Sequence, residues 1–327
     1  MRYLVGVDIG GTNIVVGTVA EDGSAVLGVG SAPTLPEEGP QAVVGRIARL
    51  VQGSIAEAQK AAGIPRDGIV GVGIGSPGPL DRERGLVLLT PNLGWRDLPL
   101  RDLVSEATGL PASLDNDANC AIYGEWWAGA ARGSKYVVGL TIGTGIGGGI
   151  VIDGKLYYGT SGVAGEVGHT TIDSTGRRCK CGNYGCLEAY ASGPAIAARA
   201  VEGLEIGAES DLPARVGGDL ARITAQTVYE AAKAGDEYAL EIVRDTAKFL
   251  GAGVGNLVNI FNPDTVVIVG GVTMAGDQLF VPLRGEVKRR AFKPAVDRCR
   301  IVPGELPGTA GVVGAVAGFK HDVWGDV

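Results

Sequence analysis

What the chain lacks narrows its class before any motif is read. It has no extended lysine- or arginine-rich run, and its 36 acidic residues against 29 basic ones leave a net charge of −7. A nucleic-acid or anionic-membrane partner is therefore disfavoured. The longest uncharged apolar stretch, residues 136–152, is glycine-rich and too short to span a bilayer comfortably. The opening residues, Met1 to Asp8, run directly into a strand pattern broken by an aspartate, whereas a signal peptide needs a longer apolar stretch and a small-residue cleavage site. The expectation is a cytoplasmic protein with neither membrane nor nucleic acid as partner. No linker or low-complexity segment stands out, although residues 203–218 read as a loose surface region. Cysteines are few, five in all, yet three of them, Cys179, Cys181 and Cys186, fall within eight residues. Without a secretion signal, that crowding reads as metal ligation rather than as disulfides.

Glycine, by contrast, is abundant. Its 55 positions in 327 residues make roughly 17%, against an average near 7%. They follow no collagen-like period and sit beside apolar runs, as tight turns and close backbone approach to a ligand require. The length exceeds what one core usually serves and favours two lobes.

Self-comparison supports this. Residues 3–23 and 136–154 each read as an apolar strand, a Gly/Thr-rich turn, a second apolar strand and an Asp-Gly turn. Elsewhere the pattern is mixed α/β. Helical periodicity covers 41–62, 118–130, 236–261 and 309–319; short buried strands cover 68–74, 111–114 and 265–269. A strand, a helix and a strand in that order imply a right-handed parallel crossover.

Two glycine turns carry chemistry. Asp8-Ile9-Gly10-Gly11-Thr12-Asn13 follows a strand, so its backbone N–H groups, with Thr12 and Asn13, suit a polyphosphate. Asp8 at the strand end suits Mg²⁺. Gly143-Thr144-Gly145, continuing through Gly149, is the second such turn. Neither is a Walker A loop, and each alone is also compatible with a plain hairpin. Asp117, where a strand gives way to a helix, reads either as a helix-terminal aspartate or as a general base. Glu166, His169 and Glu188 suit the paired hydroxyls of a polyol, or an ordinary surface. Cys179, Cys181 and Cys186 with His169 make a Cys₃His set suited to tetrahedral, structural Zn²⁺.

On these motifs the chain resembles the ROK-family sugar kinases, over nearly its whole length from Asp8 through the C-terminal helix. The resemblance implies a two-lobed α/β fold of the actin/hexokinase type, with ribonuclease H-like lobes and a ligand cleft between them. The lobes are expected at 1–120 plus 309–327, and at 121–308 with the zinc loop. It further implies that Asp8, Gly10, Gly11, Thr12, Asn13, Gly143, Thr144 and Gly145 contact ATP phosphates, with Gly270 and Gly271 near the adenosine. Asn116 then binds sugar, Asp117 is the base, Glu166, His169 and Glu188 contact sugar hydroxyls, and the turn at Gly78 closes the sugar pocket. One position departs from the pattern: many members have lysine where this chain has Asn13. The implied activity is transfer of phosphate from Mg-ATP to glucose, giving glucose 6-phosphate, in a homodimer or homotetramer. Kinases for fructose, mannose or N-acetylhexosamine, and polyphosphate as donor, are the near alternatives. The family also holds sugar-responsive repressors with an N-terminal helix-turn-helix, for which the strand starting at Tyr3 leaves no room.

Overall fold

Thirteen strands and eleven α-helices form among residues 1–325, the part that the computed structural model describes; the last two residues of the expected 309–327 segment lie outside the described residues. The strands are β1 (Tyr3–Ile9), β2 (Asn13–Ala20), β3 (Val26–Pro33), β4 (Ile69–Ser76), β5 (Leu80–Asp81), β6 (Leu86–Thr90), β7 (Trp95–Leu98), β8 (Ala112–Asn116), β9 (Tyr136–Ile142), β10 (Ile146–Ile152), β11 (Lys155–Leu156), β12 (Thr265–Val269) and β13 (Arg300–Pro303). The helices are α1 (Pro40–Ala62), α2 (Leu100–Thr108), α3 (Asp117–Ala128), α4 (Glu188–Ala191), α5 (Gly193–Glu205), α6 (Leu212–Arg215), α7 (Ala225–Lys233), α8 (Glu237–Phe261), α9 (Asp277–Arg290), α10 (Lys293–Val296) and α11 (Ala310–Phe319).

Helix limits follow local chemistry. Helix α1 starts on Pro40, whose missing N–H costs nothing at that position, and stops at Gly63 in the left-handed conformation. Helix α8 is one continuous helix, stopped by Asn262 at φ 46°. The stretch 203–218 is less loose than its composition suggests. It contains the end of α5 and all of α6, and Leu212 is fully buried, so an apolar anchor holds the segment down.

The chain divides into two compact units. Unit 1 comprises Met1–Gly133, Gly149–Gly165 and the segment from Glu305 onward; unit 2 comprises Ser134–Gly148 and Glu166–Gly304. The main sheet of unit 1 has the order β3-β2-β1-β4-β8, with β1–β2 and β2–β3 antiparallel and β1–β4 and β4–β8 parallel. A second sheet has the order β11-β10-β9-β12-β13. Both orders are third, second, first, fourth, fifth in sequence, so the repeat seen in the two hairpins extends to whole sheets. Strands β5, β6 and β7 form a small antiparallel sheet in unit 1 that the sequence reading did not anticipate.

In unit 1, helix α1 covers one face of the sheet and α11 with α3 the other. All ten residues of α11 are buried, as expected of a helix apolar all round. Glycine makes this packing possible. A methyl group at Gly6 or Gly73 would collide with the carbonyl oxygens of Val312 or Ala315, and one at Gly314 with that of Cys120. In unit 2, β12 is buried at all five positions, and α8 and α9 pack against β9 and β13 respectively. Among the described residues no helix is long and apolar enough to cross a membrane.

The two glycine classes separate in a denaturation experiment. Gly73→Ala meets backbone that cannot move aside and should destabilise by about 2–4 kcal/mol in urea unfolding. Gly53→Ala, in α1 with nothing within 4 Å, should stabilise by about 0.5–1 kcal/mol.

Candidate functional site

In unit 1 the parallel register gathers one end of three strands. Asp8 pairs with Gly75, and Gly75 pairs with Asp115, so β1, β4 and β8 end side by side. Ligands of such sheets bind beyond the carboxyl ends of the strands. Gly10 through Asn13 form the turn after β1, closed by the Gly10 N–H donating to the Asn13 carbonyl at 2.8 Å. Thr34 pins it from β3's exit: its hydroxyl donates to the Gly10 carbonyl at 2.7 Å and its N–H to that of Thr12 at 2.8 Å. Gly11, Thr12 and Asn13 are exposed. Gly11 stands beside Asn92, whose Cβ is 4.0 Å from where a Gly11 side chain would begin.

Asn116 and Asp117 occupy the β8–α3 junction. The residue that caps α3 is Asn116, whose side-chain oxygen accepts from the N–H groups of Ala118 and Asn119 at 3.0 and 3.1 Å. Its amide NH₂ takes no part in the cap. Asp117 is the first helical residue, and its Oδ1 accepts from the Ala118 N–H at 2.9 Å. Gly75 lets this helix end come close, since a methyl there would lie 3.5 Å from the Asp117 Cα and 3.2 Å from the Cys120 sulfur. Asp8 and Asp117 feel each other. The Asp8 carboxyl is pushed up to about 7, first by burial and then by the neighbouring Asp117 charge. Two carboxylates crowded in this way form a donor set suited to a divalent cation. The Gly78 turn leaves β4 at φ 92°, against the Leu89 carbonyl, where no side chain fits.

In unit 2 the turn Gly143-Thr144-Gly145 links β9 to β10, closed by the Gly143 N–H on the Gly145 carbonyl at 2.9 Å. Glu188, at the start of α4, lies directly on it. Its Oε2 accepts from the Ile146 N–H at 2.9 Å, and a methyl at Gly145 would come within 2.6 Å of that oxygen. Its Oε1 is 3.8 Å from the Cys179 sulfur. Glu188 thus touches both the glycine turn and the cysteine loop, a link that spacing alone did not reveal.

His169, Cys179, Cys181 and Cys186 converge, with their ligand atoms all within 4.8 Å of one another. Cys181 and Cys186 have their sulfurs 3.7 Å apart, and the His169 Nδ1 is 3.8 Å from the Cys179 sulfur. A disulfide needs about 2.05 Å. The edge of a tetrahedron with Zn–S bonds of about 2.3 Å is about 3.8 Å, so the donor set fits zinc. Burial pushes the Cys186 thiol up to about 12, while the Asn183 backbone N–H holds that of Cys181 below its ordinary value. The ring's other nitrogen, Nε2, lies 3.9 Å from a Glu166 carboxylate oxygen.

A cavity of about 850 Å³ opens beside Gly143, Thr144 and Gly271, at the ends of the paired strands β9 and β12. Gly270, at φ 103°, sits against the Ile142 carbonyl. The remaining wall comes from the start of α5, through Pro194 and Ile196, and from α7, through Gln226, Tyr229, Glu230 and Lys233. The sequence reading missed the four on α7. Their spacing of i, i+3, i+4 and i+7 is the signal of one helix face, and Thr224 announces the helix start with a capping box.

The chain is similar to known proteins over nearly its whole length. The sequence pattern of the ROK family matches residues 4–322. A glucokinase of Thermotoga maritima is 40% identical, over 98% of this chain and 98% of its own. A xylose repressor of Caldicellulosiruptor bescii is 37% identical, over 85% of this chain and 69% of its own. Among solved structures, the ROK family glucokinase from Streptomyces griseus in complex with glucose and AMPPNP superposes with a TM-score of 0.83 at 36% identity, covering 96% of this chain and 98% of that one.

The elevated Asp8 carboxyl makes a stability prediction. The folded state holds a proton that the unfolded state releases near 3.8, so this carboxyl's contribution to stability falls as pH rises from about 4 to about 7. Asp8→Asn removes that dependence. Its stability advantage over the parent should grow between pH 5 and pH 8, to about 1–3 kcal/mol in chemical denaturation.

Proposed function

The chain belongs to the ROK family, and on that footing we propose that it is a glucokinase, transferring the γ-phosphoryl group of ATP to the 6-hydroxyl of glucose. The observation that carries the reading is the placing of Asp8, at the end of β1, and Asp117, at the start of α3, on either side of Gly75 at the aligned strand ends of unit 1, in a chain alike over 96% of its length to a glucokinase holding glucose and AMPPNP. The fold is the two-lobed α/β fold of the actin/hexokinase type.

In unit 1, the Asn116 amide holds the sugar and Asp117 accepts the proton of its 6-hydroxyl. That oxygen forms a bond to the γ-phosphorus as the bond to the β-phosphate oxygen breaks, and ADP leaves. A positioned carboxylate of this kind contributes about 10²- to 10⁴-fold. The Gly10–Asn13 and Gly143–Gly145 turns present backbone donors to the phosphates, and the cavity beside Gly271 takes the adenosine. Asp8 would hold Mg²⁺, which would supply charge neutralisation at the phosphates. Glu166, His169 and Glu188 bind sugar hydroxyls. Cys179, Cys181, Cys186 and His169 Nδ1 would hold a structural zinc, which would fix the ring's tautomer and leave Nε2 free to donate to the sugar. Free thiols and an ATP substrate support the reading of a cytoplasmic protein, with a homodimer or homotetramer as the proposed assembly. A second reading, sugar sensing without turnover, draws on the likeness to the xylose repressor.

ADP release with Mg-ATP across glucose, mannose, fructose, N-acetylglucosamine and N-acetylmannosamine tests this. Glucose should give the highest kcat/KM, and Asp117→Asn should lower kcat by about 10²- to 10⁴-fold. Sugar binding without ADP release would support the sensor instead. For the metal, elemental analysis should find one zinc per chain. Cys181→Ser should lose it and raise the sugar KM; unchanged sugar kinetics in a stable zinc-free variant would rule out the link to His169.

A further inference from the structure

Behind the Asn116–Asp117 junction lies a polar cluster that the motifs do not account for. Asp115 is 4% exposed, yet it carries a carboxylate with four donors on it. Its Oδ1 accepts from the Asn116 N–H at 2.7 Å and from the Asn119 side-chain amide at 3.3 Å. Its Oδ2 accepts from the Tyr158 hydroxyl at 2.6 Å and lies 3.3 Å from the Arg82 Nη2. The same Arg82 nitrogen grips both oxygens of Asp322, at 2.9 and 2.8 Å, and the guanidinium stacks 3.8 Å from the centre of the Tyr158 ring. The four residues come from the β5–β6 turn, the end of β8, the segment after β11 and a π-helical turn at Lys320–Trp324.

We propose that Arg82, Asp115, Tyr158 and Asp322 are positioning residues that hold the β8–α3 junction so that Asn116 and Asp117 meet the sugar in register. The inference rests on the kinase reading above. Asp115 acts through the backbone: its bond to the Asn116 N–H sets the peptide plane just ahead of the two ligand-facing residues. Burial pushes the Asp115 carboxyl up, and Arg82 and the Tyr158 hydroxyl draw it back down, so the carboxylate that orients the junction depends on both partners. Asp322 completes the chain by holding the Arg82 Nη2 with both of its oxygens, which fixes where that nitrogen meets Asp115. Helix capping alone does not need this arrangement, because Asn116 already supplies the cap. What the cluster adds is the setting of the Asp117 carboxylate, and a displacement of about 1 Å in such a group costs on the order of 10²-fold in rate.

The test compares the parent, Tyr158→Phe and Asp322→Asn in glucose-dependent ADP release and in thermal unfolding. Tyr158→Phe removes one hydrogen bond and keeps the ring under Arg82. Asp322→Asn keeps the shape at a partly exposed site, so it remains informative if the first variant folds poorly. For Tyr158→Phe, kcat for glucose should fall about 10- to 100-fold. The loss for Asp322→Asn should be about 3- to 10-fold. The KM for ATP should stay within about twofold and Tm within a few degrees in both. Parental kcat in both variants would overturn the proposal, as would a parallel loss of kcat, ATP affinity and Tm, which marks a purely structural role. A parent silent on every hexose would remove the kinase reading and this inference together, whereas an active parent beside unaffected variants would remove this inference alone.

Discussion

Backbone-to-backbone contact around α11 is the constraint on which unit 1 depends. The helix is buried at every position, so each side must meet another element, and three of those meetings exclude even a methyl group. Gly6 and Gly73 admit the helix to the sheet, and Gly314 admits α3 to the helix. The same contact reaches the site: Gly311, in the first turn of α11, lies directly against the Asp8 carboxylate. A bulkier residue at any of these positions would push the helix off the strands whose ends carry Asp8 and Asp115. Unit 2 uses the device on a smaller scale, with Gly145 under Glu188 and Gly270 against Ile142.

Close packing also crowds charge, and the molecule resolves the crowding in two ways. Asp115 is buried, but Arg82, Tyr158 and two amide donors surround it, so its charge has partners. Burial raises both carboxyls, but at Asp115 these partners offset part of the rise, whereas Asp8 is raised to about 7 by burial and by the like charge of Asp117. A carboxylate kept short of counter-charge costs stability, and sites that must receive a cation tolerate that cost because the ligand relieves it. The first arrangement suits a fixed support, the second a place of exchange.

The two glycine turns, at Gly10–Asn13 and Gly143–Gly145, were legible because a hairpin is written in a dozen consecutive residues. Helix α1 was legible to within a residue, since Pro40 and Gly63 mark its ends. The cysteine cluster was legible from crowding alone, and His169 does join it. Residues 203–218 misled because glycine and acidic residues mask a single apolar anchor, Leu212. The α7 face along the cavity went unread because its polar residues look like any solvated helix surface until the cavity is seen.

Local chemistry, then, determined the turns, the helix ends, the Cys/His cluster and the duplicated strand-turn-strand, each from residues close in sequence. Tertiary structure alone decided the rest. Parallel register set Asp8, Gly75 and Asp115 in a row, and nothing in the three strands' own alternation specifies that alignment. Packing laid Glu188 on a turn 42 residues earlier and brought Arg82 to Asp322, 240 residues away. Periodicity reports which face of an element is apolar; which distant element covers that face depends on the shapes of both, and those exist only once the chain has folded.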